Sequence, residues 1–215
     1  LASAPLAWAA VCSAVACGDR SGNAALGGTA VIGTGADADA LLMPLVDGAQ
    51  GRIVSELLFD RLADIGPSLN TVGDVGFQPR LAERWSWSAD SLAITFSIDP
   101  RARWHDGAPV RAADGVYGFD AIRDPGNGSP LNSSTADIVS VTATDSLTAE
   151  MRFKARSPEQ FYSAILVVPL PAHLLAAIPS GGLRTSAEAR APVGSGRFRF
   201  VAWEPDVRLE LAGVR

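Results

Sequence analysis

The clearest periodic stretch lies mid-chain. Leu92, Ile94, Phe96 and Ile98 alternate with Ala93, Thr95 and Ser97, a period of two that predicts a strand with one buried face. Trp85 and Trp87 share a face of a shorter strand before it, and Ser88-Ala89-Asp90-Ser91 suits the hairpin turn between them. After it, Trp104-His105-Asp106-Gly107 predicts a second turn, with Gly107 at a positive φ that residues bearing a Cβ resist. Pro109 leads into a helix beginning near Ala112, with Val116, Phe119 and Ile122 facing inward. Gly115 and Gly118 weaken that helix by up to about 1 kcal/mol each relative to Ala. Pro79 to Ile122 therefore reads as one unit.

The rest of the chain is arranged around that unit. Thr29 to Gly33, TAVIG, predicts a short buried strand between glycines, and residues 34–51 carry little periodicity. Gln50 to Leu62 has helical spacing, which places Ile53, Val54, Leu57, Leu58 and Leu62 on one face. Residues 67–76, 124–134 and 180–191 read as loops. Ile138–Thr144 and Thr148–Lys154 predict paired strands around Asp145-Ser146, with Ala149, Met151 and Phe153 on the inner face. Pro158 opens a helix through Leu166, Pro171 opens a shorter one, and Arg197–Trp203 with Val207–Leu211 forms a last strand pair. Antiparallel pairs mixed with helices give an α/β or α+β fold.

Two blocks within this pattern carry a resemblance. The first runs Leu81-Ala82-Glu83-x-Trp85, Thr95-Phe96, Trp104-His105-Asp106-Gly107-x-Pro109-Val110, then Ala112-x-Asp114-x-Val116-Tyr117. The second is Pro192-Val193-Gly194-Ser195-Gly196-Arg197-Phe198, followed by Val201-Ala202-Trp203-Glu204-Pro205. In this order they resemble the extracytoplasmic solute-binding proteins of peptide ABC importers, a family (family 5) that also has nickel- and oligosaccharide-binding members. The departures are Asp99-Pro100, where the family has a basic residue and a glycine, and Arg111 in place of a helix-capping Thr.

The resemblance implies a periplasmic-binding-protein-like lobe I, discontinuous in sequence, built from residues 28–59 and 170–215. Residues 60–169 would form an inserted β-rich domain. Family members continue through a second lobe, so this chain is expected to be an N-terminal fragment. The resemblance also implies that Asp47-Gly48-Ala49-Gln50 runs beside the bound solute and pairs with its main chain. Leu131, in Pro130-Leu131-Asn132, would approach the same cleft. The implied function is a monomeric receptor that delivers a peptide or similar small solute to an ABC permease, with no catalysis, cofactor or metal.

Composition sharpens the compartment. A net charge of -5 and the absence of any Lys/Arg run leave no electrostatic footprint for nucleic acid. The only cysteines, Cys12 and Cys17, lie at the start of the chain, so no disulfide framework or thiolate metal site is available beyond them. Residues 1–17 read as an export signal that begins inside a longer precursor, since no methionine or basic segment precedes it. Ala14-Val15-Ala16-Cys17 resembles the bacterial lipobox, which makes Cys17 the expected lipidation site, with residues 18–27 as a flexible tether to a membrane.

Candidate catalytic chemistry is sparse. His105 and His173 are the only imidazoles. His105-Asp106 imitates a base with its orienting carboxylate, but neighbours in a tight turn rarely aim at one centre, so Asp106 is expected to cap the turn. Asp37-x-Asp39 lacks calcium-loop spacing, and the Gly33-x-Gly35 and Gly194-x-Gly196 pairs lack the full phosphate-cradling pattern. Trp85 and Trp104 read as core rather than as ligand-stacking platforms. A secreted hydrolase and a ligand-free surface lipoprotein are the alternative readings. The first would need a paired nucleophile or metal constellation that the sequence does not display.

Overall fold

The computed structural model describes residues 28–214. The chain divides into two compact units, Leu1–Gly33 and Thr34–Arg215. The expected signal at 1–17, the tether at 18–27 and Cys17 lie outside the described residues. Of the first unit, residues 28–33 form no helix or strand, and Val31 and Ile32 are exposed. The buried strand expected at TAVIG is therefore not formed. Strand propensity needs a neighbouring strand to bond to, and among the described residues none pairs with this segment.

The second unit contains α1 (Ala49–Leu58), β1 (Ala63–Ile65), β2 (Phe77–Pro79), β3 (Ala82–Trp87), β4 (Ala93–Ile98), α2 (Ala112–Arg123) and α3 (Leu131–Ser134). It continues with β5 (Ile138–Ala143), β6 (Thr148–Phe153), α4 (Gln160–Ile165), α5 (Ala172–Leu175), α6 (Ala187–Arg190), β7 (Phe198–Glu204) and β8 (Arg208–Gly213). Short 3-10 turns lie at Met43–Leu45, Pro125–Asn127 and Leu183–Thr185. The fold is mixed α/β. Its central sheet has the order β3-β4-β6-β5, flanked by the pairs β1-β2 and β7-β8, and every described pairing is antiparallel.

The alternation read in the sequence sets the register of the central sheet. Trp85 lies opposite Phe96 and Trp87 opposite Ile94. On the other side Ile94 faces Met151 and Phe96 faces Ala149. Ile94, Phe96, Ile98, Met151 and Phe153 are buried. Phe161 of α4 completes an aromatic cluster, 4.8 Å from the Trp85 ring and 4.5 Å from Phe77. Such tilted pairs add roughly 0.5–1.5 kcal/mol beyond their buried area.

Helix α1 departs from the expected face. Its buried residues are Gly51, Ser55 and Leu58, whereas Ile53 is 59% exposed. The helix lays its small side chains on an extended run, Ala40–Val46, which is buried throughout and has no period to read. A Cβ on Gly51 would come within 2.8 Å of the Ala40 carbonyl, and Ser55 Oγ donates to the Leu41 carbonyl at 2.7 Å. The apolar area comes from the run, so the helix needs no leucine face there. In α2 the two glycines differ. A Cβ on Gly118 would come within 2.2 Å of the Val168 carbonyl, while nothing lies within 4 Å of one on Gly115.

Candidate functional site

Asp47, Gly48, Ala49 and Gln50 form the loop into α1, with Asp47 and Ala49 exposed and Gly48 and Gln50 half-buried. Its donors are partly committed. The Asp47 N–H donates to Asp39 Oδ2 at 2.7 Å, and the Gly48 N–H bonds the same carboxylate. Asp39 thus satisfies amides that a helix start leaves orphaned. Burial pushes its carboxyl up, but these N–H bonds outweigh burial and hold it below the ordinary value. The Gly48 carbonyl accepts from Arg52 N–H at 3.1 Å. What remains open on this rim is acceptor-rich, including the Asp47 carboxylate.

Leu131 begins α3 and packs partly buried against the core. The loop before it, expected to be irregular, contains a built turn. Asp124 accepts from Gly126 N–H, from Gly181 N–H at 2.8 Å and from Ser180 Oγ at 2.9 Å. The three bonds hold its carboxyl below the ordinary value. Asn127, three residues on, is buried. Arg184 reaches from the Leu183–Thr185 turn to the carbonyls of Leu45 at 3.3 Å and Asn127 at 3.5 Å. It therefore links the segment entering Asp47 with the one entering Leu131. Sequence reading missed Arg184, because nothing local marks an arginine between two loops.

The groups considered for chemistry are committed to structure. His105 Nε2 donates to the Gly196 carbonyl at 2.9 Å, and its Nδ1 is buried without a partner. Asp106 Oδ1 accepts from Ala108 N–H at 3.0 Å and so caps the turn, with Gly107 at φ +90. Asp106 Oδ2 pairs with His173 Nε2 at 2.7 Å. Burial raises the Asp106 carboxyl, and the His173 and Ala108 bonds more than reverse that, leaving it lowered. Trp104 is buried, edge-on to Phe59, with Nε1 donating to Asp114 Oδ2 at 3.1 Å. Asp37 accepts from Trp203 Nε1 at 3.0 Å and from Asp206 N–H at 2.9 Å. It is thereby tied to the β7-β8 turn instead of facing a cation. Among the described residues no group of three or more His, Cys, Asp or Glu could hold a metal.

Two open grooves of about 460 Å³ each mark the surface. One lies between α2 and β5, around Tyr117 and Asp120. The other lies below α1, around Asp60, Asp64, Arg61 and Arg80. The second is largely self-neutralised, with Arg80 2.7 Å from Asp60 and Arg61 2.8 Å from Glu56. Burial raises the Asp60 carboxyl, and the Arg80 contact only partly reverses it.

The family model for bacterial extracellular solute-binding proteins, family 5 Middle, matches residues 76–213. The chain belongs to this family. A putative ABC transporter peptide-binding protein of Brucella ovis is 35% identical over 143 residues, covering 66% of this chain and 26% of the relative. Dipeptide-binding protein DppE of Bacillus subtilis is 29% identical over 144 residues, covering 60% of this chain and 26% of DppE. The chain thus spans about a quarter of the length of these relatives. The oligopeptide-binding protein AppA of Bacillus subtilis, solved with a nonapeptide, shares the fold at TM-score 0.75 and 20% identity, over 83% of this chain and 35% of AppA. NikZ of Campylobacter jejuni, solved with Ni(L-His), aligns at TM-score 0.60 and 27% identity, over 70% of this chain and 29% of NikZ.

The two blocks that carry the family-5 resemblance meet at the end of α1. The Leu58 carbonyl accepts from Ser195 N–H at 3.0 Å and Gly196 N–H at 2.8 Å, and Ser195 Oγ accepts from Asp60 N–H at 3.1 Å. His105 N–H donates to the Gly194 carbonyl at 2.8 Å. A Cβ on Gly194 would come within 1.9 Å of the Leu58 carbonyl, so only glycine allows this approach. Among the described residues no helix is long and apolar enough to cross a membrane.

Proposed function

We propose that the protein is the solute-binding receptor of an ABC importer and captures a peptide or similar small solute outside the cytoplasmic membrane. The observation that carries this reading is the family-5 match across residues 76–213. The site geometry is compatible with it: an exposed acceptor-rich rim at Asp47–Gln50 with Leu131 as an apolar contact, and both histidines engaged in structural bonds. In this reading residues 28–59 and 170–215 belong to lobe I, residues 60–169 are the inserted domain, and the native protein is a monomer that presents its loaded form to a permease. Capture and hand-over need no covalent step. Closure of lobes around the solute would supply the signal for the permease.

The test is titration calorimetry of the native full-length protein with short peptides. Micromolar or tighter binding is expected, and the absence of heat or thermal stabilisation with any peptide set aside the peptide assignment. We further propose that Cys17 is lipidated and holds the protein at the membrane surface. Mass spectrometry of the membrane fraction should find acyl groups on Cys17. Unchanged membrane association of Cys17→Ala overturns the anchor.

A further inference from the structure

We infer that Arg184 binds a carboxylate of the captured solute, which makes the preferred ligand class one with a free acid group. This rests on the solute-binding reading above and deepens it. The guanidinium is carried by a built platform. Asp124 bonds Gly126 on one turn and Ser180 and Gly181 on the next, pinning them together. The backbones touch so closely that a Cβ on Gly126 would come within 2.7 Å of Gly181 Cα, and Gly181 itself has φ +73. From that second turn Arg184 projects across to Leu45, two residues before Asp47, and to Asn127, four residues before Leu131.

Its bonding is incomplete in a telling way. Both carbonyl contacts come from Nη2, so the N–H groups of Nε and Nη1 have no partner among the described residues. No carboxylate of the described residues lies within ion-pair distance, whereas Arg61, Arg80, Arg84, Arg101, Arg152 and Arg208 each have one. Arg123, the other arginine that ties loops through carbonyls, is saturated by Asn132, Thr135 and Ile138 and stacks on Phe119. Arg184 is exposed and holds only two long contacts. A loop tie would need no more than a lysine or an amide. A positioned, unneutralised guanidinium suits a carboxylate, to which its hydrogen bonds are charge-assisted and roughly twice as strong as neutral ones.

The neighbouring rim supports a direction for the ligand. Asp39 takes up the Asp47 and Gly48 amides and leaves the exposed Asp47 carboxylate facing out. A solute that carries a donor or cationic group at one end and a carboxylate at the other would lie with its cation toward Asp47 and its acid toward Arg184.

The experiment compares a short-peptide library with the same library as C-terminal amides, titrated calorimetrically against the native full-length protein and its Arg184→Gln and Arg184→Lys variants. Wild type is expected to bind the acids at least ten-fold tighter than the amides. Arg184→Gln should lose that preference by weakening acid binding alone, and Arg184→Lys should keep part of it. Equal weakening of acids and amides would make Arg184 a loop tie and overturn the inference, as would equal affinity of the two libraries for wild type. If wild type binds neither library, the peptide reading fails first and takes this inference with it. Matching melting temperatures of the unliganded variants separate a binding loss from a folding loss.

Discussion

Replacing Asp114 with Ala probes the interior of the family's first block. The carboxylate is 4% exposed and takes three N–H donors: Arg111 N at 2.7 Å, Trp104 Nε1 at 3.1 Å and Ala172 N at 3.0 Å. It therefore joins the start of α2, the buried tryptophan of the turn and the start of α5. Removing it strands donors, and each buried donor left unpaired costs about 1–3 kcal/mol. Arg111 is exposed, so its N–H can turn to water and counts little. Deleting the charge also removes its own desolvation cost, which offsets part of the loss. The expected net destabilisation is about 2–4 kcal/mol, a large share of a domain's usual 5–15 kcal/mol. Asp114→Asn, which keeps one acceptor, should lose less. A double-mutant cycle with Trp104→Phe isolates the indole bond, because the lost ring volume cancels, and should give a coupling of about 1 kcal/mol. Urea unfolding followed by tryptophan fluorescence and far-UV circular dichroism measures all four states. An Asp114→Ala protein within about 0.5 kcal/mol of wild type would mean that water or a shifted loop replaces the carboxylate, and the joint would not exist.

Gly115→Ala should stabilise by up to about 1 kcal/mol, since its Cβ meets nothing within 4 Å, whereas Gly118→Ala should destabilise because the Val168 carbonyl lies 2.2 Å from that position. Thermal melts of both variants check the contrast, and shifts of the same sign would refute it. Gly194→Ala should destabilise for the same reason, at 1.9 Å from the Leu58 carbonyl, and a wild-type melting temperature would place the second block away from α1. Asp99 is held down at about 2 by the Arg101 side chain and N–H. A carboxyl depressed in the folded state stabilises fully above its ordinary value, and loses that contribution as pH falls toward the folded pKa. Asp99→Asn should therefore flatten the loss of stability between about pH 4 and about pH 2, and unchanged slopes would contradict the pairing. His173→Ala should let the Asp106 carboxyl rise, because its strongest lowering partner is gone. Carboxyl titration by NMR reads this directly, and an unmoved Asp106 would rule out the pair.

The sequence was most legible where burial alternates. The β3-β4 and β5-β6 pairs, the inward Ala149, Met151 and Phe153, the Gly107 turn and the start of α2 at Ala112 all stand where the pattern puts them. It was least legible where burial has no period. Ala40–Val46 is buried on all sides by tertiary packing, so a run that looked like an irregular segment is core. That run also displaced the face of α1, turning Ile53 to solvent. β1 and β2 are three residues each, too short for alternation to be read. The roles of Asp114, Asp124 and Arg184 depend on partners 57 or 58 residues away or, from Arg184 to Leu45, 139, and no local window contains them.

The same contrast explains why the family could be read from the chain more readily than its ligand. In the first block Trp104 is buried, Asp106 caps its own turn, and the Asp114 carboxylate is filled by three donors. In the second, Ser195 and Gly196 close the carbonyl end of α1, and Gly194 and Gly196 receive both bonds from His105. Between them the blocks seal one junction, and nearly all of the polar groups they bring there are spent within the protein. Such a junction identifies a framework because few residue types can build it: a glycine where a carbonyl sits 1.9 Å from the Cβ position, an imidazole that spans two turns. It offers a solute almost nothing to bind. Recognition must then fall to groups with valence left over, and near the expected rim these are the Asp47 carboxylate and the free side of Arg184, neither of which lies in a block. Changing Asp47 and Arg184 together should therefore alter which solutes bind while leaving the melting temperature nearly unchanged, whereas changes inside the blocks should do the reverse.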